Sequence, residues 1–152
     1  MKELTEEQAL AKAAALCSSS EKCTGQILTK LAAWGMDTAQ SEHIIQRLQA
    51  EKFIDDCRFC RAYCKMRYNH WGRIKIRQAL RMLGLDGDDI EQGLNSIDQQ
   101  EYEQVLADVI ARKAKSLHEA DSYTLRQKLL RHAYSHGFEP ELIFRLIPDS
   151  ED

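Results

Sequence analysis

Apolar residues recur every three or four positions along the chain, and no stretch sustains the two-residue alternation of a strand. Successive helices follow from that period. The first covers 5–17, with Thr5 as N-cap and Gln8 as its capping-box partner. Ser18, Ser19 and Ser20 break it and offer the next cap. The second helix covers 21–34, turns Ile27, Leu28 and Leu31 inward, and stops at Gly35. Asp37 or Thr38 caps the third, which carries Ile44, Ile45 and Leu48 toward the core. Asp55 or Asp56 caps a fourth over 56–69, with Phe59, Ala62, Tyr63 and Met66 on its inward side. The fifth covers 73–83 through Ile76, Ala79, Leu80 and Leu83. Asp86 or Asp88 caps a sixth bearing Ile90, Leu94 and Ile97. A seventh covers 98–117, an eighth 121–136, and a short ninth 140–147 has Pro140 in its first turn. Pro148 and the acidic residues after it read as a frayed end.

The pattern repeats on a longer scale. ILTKLAAWGM from Ile27, IRQALRMLGL from Ile76 and LLRHAYSHGF from Leu129 bring Gly35, Gly84 and Gly137 into step, roughly fifty residues apart. The marks after Leu85, at Ile90 and Leu94, match those after Phe138, at Ile143 and Ile147. The expected fold is all-α, an elongated tandem array of three three-helix repeats over 1–54, 55–97 and 98–152.

Charge sharpens the picture. The formal net charge is −3, yet residues 57–85 hold eight Lys and Arg and no Asp or Glu. Acidic residues gather at 86–91, 98–108 and in the tail, so the molecule is dipolar and suited to oriented electrostatic contacts. The basic side chains fall at regular spacing. Arg58, Arg61 and Lys65 lie opposite the apolar face of the fourth helix, and Arg73, Arg77 and Arg81 run along the fifth.

No run of about 18 apolar residues marks a membrane span. The amino-terminal MKELTEEQAL lacks the basic start and apolar centre of a signal peptide. Five cysteines, odd in number and without a disulfide framework, fit the same cytoplasmic reading.

The residues FIDDCRFCRAY, followed by GRIKIRQALRMLGL, closely resemble the RecX family of recombinase regulators. Phe53, Ile54, Asp55, Asp56, Arg58 and Phe59 follow the family's first motif. Gly72, Ile76, Leu80, Gly84 and Leu85 follow its second, and LLRHAYSHGF is similar to an element of its third repeat. The chain departs from the pattern at Arg73, where the family usually has Pro, at Leu83, where it often has Lys, and at Cys60, where Ala is usual. The first repeat, around Thr24-Gly25-Gln26, lacks an acidic residue often found before the helix leucine. The resemblance implies three tandem three-helix repeats. It implies binding in the groove of the RecA–single-stranded-DNA filament, with inhibition of ATP hydrolysis, strand exchange and co-protease activity. It implies a regulator of DNA repair and recombination. No motif argues for an enzyme or a cofactor, and a monomer is expected.

On this reading Arg58, Arg61, Lys65, Arg73, Lys75, Arg77 and Arg81 are the expected contacts to RecA or to single-stranded DNA, reached directly or through the filament. The bland alternative is a solvated charged face. Arg67 stands apart at the core edge, where a structural ion pair is its expected use. Asp55 and Asp56 could pair as catalytic carboxylates, but capping and the helix dipole explain them without chemistry. Cys57, Cys60 and Cys64 share one helical stripe. They read either as small hydrophobes or as the start of a thiolate metal site, with Cys17, Cys23 or His70 as fourth ligand. Trp34 and Trp71 read as packing residues, with base stacking as the alternative. No phosphate loop or Ser/Cys–His constellation appears. A helical DNA-binding protein acting without RecA is the main rival reading.

Overall fold

The computed structural model describes residues 4–118 and 121–149. Among these residues the secondary structure is nine α-helices and no strand: α1 (Glu6–Ser19), α2 (Thr24–Ala33), α3 (Thr38–Ala50), α4 (Asp56–Arg67), α5 (Arg73–Met82), α6 (Gly87–Asn95), α7 (Gln99–Ser116), α8 (Ser122–Ser135) and α9 (Pro140–Leu146). The chain forms two compact units. One holds the residues up to Ala62 together with Leu80–Gly93; the other holds Tyr63–Ala79 and the residues from Leu94 onward.

Local chemistry sets the helix ends. Thr5 and Gln8 form the expected reciprocal capping box at α1, and Asp37 and Gln40 form another at α3. Asp98 and Asp121 cap α7 and α8 by accepting the Glu101 and Thr124 amides. Gly35, Gly84 and Gly137 close α2, α5 and α8 with φ of 89°, 83° and 87°. That left-handed backbone is where a missing Cβ removes the steric penalty. Lys52 reaches the same region, at φ 63°, just past the end of α3.

The repeat offsets mark the core. Leu85, Ile90 and Leu94 are all buried, as are Phe138, Ile143 and Ile147. At the corresponding offsets after Gly35, Met36 and Ile45 are buried with Ser41 between them. In the first unit Ala9, Ala13, Ile27, Leu31, Ile44 and Leu48 form the centre of a cluster, and Trp34 and Phe53 pack on its edge. In the second unit α7, α8 and α9 pack on one another, with the rings of Tyr102 and Phe138 at 5.4 Å between centroids.

Several expectations need correction. Met66 is 67% exposed and Leu28 is 39% exposed, although both were expected inward. On α4 the buried face is Phe59, Cys60 and Cys64, turned toward the cysteines and away from Met66. The second helix starts at Thr24 and not near residue 21, because the serines do not cap it. The Ser18 and Ser19 hydroxyls donate back to the carbonyls of Ala14 and Leu16, extending α1. The carboxylate of Asp56 accepts the Thr24 amide at 2.8 Å instead. The chain end is also tied down as far as it is described. Arg126 donates to the Pro148 carbonyl at 3.1 Å and pairs with Asp149 at 3.1 Å. Residues 150–152 of the expected acidic tail lie outside the described residues.

Backbone meets backbone at the start of α2 and again at the start of α5. In the first unit a Cβ on Gly25 would stand 2.6 Å from the Leu83 carbonyl oxygen, at the end of α5. In the second unit a Cβ on Gly72 would stand 2.2 Å from the Gly137 carbonyl oxygen, at the end of α8. The Gly72 amide donates to the His136 carbonyl at 2.6 Å, and the Ile74 amide to the Gly137 carbonyl at 3.0 Å. The glycine that opens one second helix thus lies on the glycine turn that closes another.

Candidate functional site

The basic residues that look alike in the sequence fall into different physical situations. In the first unit Arg58 is held in place. Its Nε donates to Glu21 Oε2 at 2.6 Å, and its Nη2 donates to the carbonyls of Lys52 and Phe53 at 3.1 and 3.4 Å. The Glu21 carboxylate raises the Arg58 pKa above its ordinary value, so this guanidinium is a permanent charge. Its bonds tie the start of α4 to the turn after α3 and to the segment before α2. Arg61, one turn on, is exposed and donates from Nη1 to Cys57 Sγ at 3.2 Å. Arg81 is exposed near the end of α5.

In the second unit Arg73 is similarly occupied. Its side chain is 16% exposed, pairs with Glu139 at 3.4 Å, and lies over the Tyr102 ring at 4.0 Å. The Tyr102 hydroxyl accepts the Arg73 amide at 2.8 Å and donates to Glu139 Oε1. Burial, and then the Glu139 carboxylate, push the Tyr102 pKa well above the ordinary tyrosine value, so the hydroxyl remains a donor. Lys65 is exposed on α4 and Arg77 is half-buried on α5. Lys75 sets its ammonium over the Trp71 ring at 4.6 Å. The Arg67 guanidinium lies 5.3 Å from the same ring and 4.6 Å from that of Tyr63. Trp71 is therefore a half-buried aromatic bearing two cations, whereas Trp34 packs on the first unit's core beneath Lys12.

The other candidate chemistry resolves into structure. Asp55 accepts the Arg58 amide at 3.0 Å and caps α4, while Asp56 serves the start of α2. The two carboxylates thus satisfy amides at two different helix ends. Cys60 and Cys64 are buried, and the Cys57 thiol donates to Gln92 Oε1 at 2.9 Å. Gly93 on α6 allows the approach to Cys60, because a Cβ there would meet the Cys60 backbone at 2.9 Å. Among the described residues no cluster of three or more His, Cys, Asp or Glu is placed to hold a metal ion. None of the described helices is long and apolar enough to cross a membrane.

The anchoring roles of Arg58 and Arg73 were not visible in the sequence. Their carboxylate partners lie 37 and 66 residues away, so the absence of acids within the block did not bear on them.

Known proteins carry the same organisation. The family model for the second three-helix domain of RecX matches residues 55–94, and that for the third matches residues 100–147. The regulatory protein RecX of Clostridium tetani is 33% identical over 121 residues, which is 78% of this chain and 56% of that protein. The RecX of Clostridium botulinum is 28% identical over 131 residues, 85% of this chain and 62% of that one. The chain therefore spans 56% and 62% of the length of these two curated relatives. Among solved structures, RecX from Lactobacillus salivarius aligns with a TM-score of 0.87 at 17% identity, over 93% of this chain and 94% of that one. A second RecX crystal structure aligns with a TM-score of 0.80 at 21% identity, over 96% and 80%. With two consecutive three-helix domains matched in order across α4 to α9, the chain belongs to the RecX family of regulatory proteins.

Proposed function

We propose that the chain is a RecX-type regulator that binds the RecA–single-stranded-DNA filament. It inhibits the filament's ATP hydrolysis, strand exchange and co-protease activity, and so restrains DNA repair and recombination. The observation that carries this reading is the coincidence of the RecX match over 55–94 with the acid-free basic run. It acts by surface complementarity, as a monomer in the cytoplasm, without a cofactor. Three-helix repeats over 1–54, 55–97 and 98–152 supply separate footholds, and modest single contacts add through effective concentration. A protein bridging neighbouring filament subunits opposes the motions that ATP turnover and strand exchange require.

Within the basic run the roles divide. Arg61, Lys65 and Arg81 are exposed and are the leading contacts, supported by Lys75 and Arg77. Arg58 and Arg73 serve chiefly to hold the elements that carry the others, given their bonds to Glu21 and Glu139.

The test is single-stranded-DNA-dependent ATP hydrolysis by the RecA of the same organism, titrated with the chain and with an Arg61→Glu/Lys65→Glu/Arg81→Glu variant. Suppression at less than one chain per RecA, weakened in the variant, is the expected result. Equal suppression by a folded variant moves the contact surface elsewhere. No suppression by the folded wild type overturns the reading and favours a helical DNA binder acting without RecA.

A further inference from the structure

A second basic surface lies outside the run that drew attention in the sequence. In the second unit α7 and α8 flank a cleft of about 470 Å³, lined by Lys113, Leu117, Lys128, Arg131, His132 and Ser135. On α8 the four lining residues fall at i, i+3, i+4 and i+7, one continuous face. None of the lining residues is acidic. A cation at Lys113 is partly explained by the carboxyl-terminal dipole of α7. That account does not extend to Arg131, which sits in the third turn of α8, not at its end. The Ser135 hydroxyl donates to the His132 carbonyl, which leaves its oxygen free to accept and its position fixed.

We propose that this cleft binds the phosphodiester backbone of single-stranded DNA, as a contact separate from the α4–α5 run. Residues 128 to 135 span about 10 Å of helix axis, room for roughly two phosphates of an extended strand. Lys113 and Arg131 supply a matching number of permanent charges. Leu117 provides an apolar surface beside them for a sugar. The recess lies between two helices, so a flexible strand enters it while the convex rod of a duplex meets only the rim. A basic groove that follows one backbone is the usual device of sequence-tolerant single-strand binding. The proposal rests on the filament reading only in choosing DNA among polyanions.

The experiment is fluorescence anisotropy of a dye-labelled oligothymidine with the full chain, without RecA, across a series of salt concentrations. The variants are Lys113→Gln/Arg131→Gln and, as a comparison, Arg61→Gln/Arg81→Gln. Loss of two phosphate contacts is expected to flatten the log–log salt slope by about 1.4 and to weaken binding at least tenfold at low salt. A duplex of the same length is expected to bind more weakly than the single strand. Circular dichroism and thermal unfolding establish that each variant is folded. The proposal is overturned if the folded cleft variant binds like wild type, if only the Arg61/Arg81 variant loses binding, if duplex binds as well, or if the wild type binds no naked DNA. In that last case suppression of RecA ATP hydrolysis would still stand, so the two readings fail separately.

Discussion

The Gly72 amide lies 2.6 Å from the His136 carbonyl oxygen, a main-chain hydrogen bond between residues far apart in sequence. It persists because neither Gly72 nor Gly137 presents a side chain at the contact. A Cβ on Gly72 would meet the Gly137 carbonyl, and a Cβ on Gly137 would stand 2.3 Å from the Lys75 Cβ.

Gly72→Ala is therefore expected to destabilise the chain by about 2 kcal/mol or more, because the obstructing atoms are backbone and cannot swing aside. Gly25→Ala, facing the Leu83 carbonyl at 2.6 Å, should behave alike. Gly87→Ala is the control. Nothing lies within 4 Å of its added methyl, and a helical glycine replaced by alanine gains up to about 1 kcal/mol. Urea denaturation of the three variants checks the order. Equal midpoints for Gly72→Ala and wild type would contradict the close approach.

Tyr102→Phe keeps the ring beneath the Arg73 guanidinium and removes only the hydroxyl. That leaves the Arg73 amide without its acceptor and Glu139 Oε1 without its donor, while Oε2 keeps the Arg73 guanidinium, at a cost of about 1–3 kcal/mol. The same network makes Arg73→Glu a poor surface probe, since it places a carboxylate against Glu139 over an aromatic face. Its expected signature is a lowered denaturation midpoint. Arg81→Glu, at an exposed position, should leave the midpoint nearly unchanged.

Acidification should loosen the second unit. The pKa values of His70 and His132 both lie below the ordinary histidine value. Burial is the first cause for each, followed by Arg67, His136 and Lys75 around His70 and by His136 and Lys113 around His132. The unfolded chain takes up these protons near pH 6.5, before the folded one does. Stability present above that pH is therefore lost as the pH falls through the lower folded values. Denaturation midpoints at pH 7.5 and 5.5 should differ in the wild type, and differ less in His70→Gln/His132→Gln. A midpoint that rises on acidification would reverse the assignment.

Lys52→Gly should raise stability by roughly 0.5–1 kcal/mol, because its left-handed φ of 63° penalises any Cβ. The Lys52 carbonyl that Arg58 binds is main chain and survives the change. An unchanged or lowered midpoint would show that the lysine stem contributes packing of its own.

Periodicity carried the helices and the repeat because both depend on near neighbours in sequence. The buried marks Leu85, Ile90 and Leu94, and Phe138, Ile143 and Ile147, were readable from spacing alone. What escaped was contact between distant residues. Asp56 caps α2 from 32 residues away, Glu21 anchors Arg58, and Glu139 anchors Arg73, with no local pattern announcing any of them. Met66 misled for another reason. Cys60 and Cys64, weighed as potential ligands, are the small apolar residues of the buried face, and giving them that weight turns α4 away from Met66. The cleft on α8 was overlooked because its cations alternate with apolar and polar residues along the chain and share a face only once the helix forms.

The glycine contacts at Gly25 and Gly72 carry one more implication. At a junction made from main chain the contact itself needs a gap at one residue and a left-turning end opposite, with side chains such as Tyr102 and Asp56 bracing it from beside. A copy that keeps the glycine meets the same main-chain seam. Growth by duplication then needs no new recognition surface, and each copy is at liberty to change its exterior while the seam stays fixed.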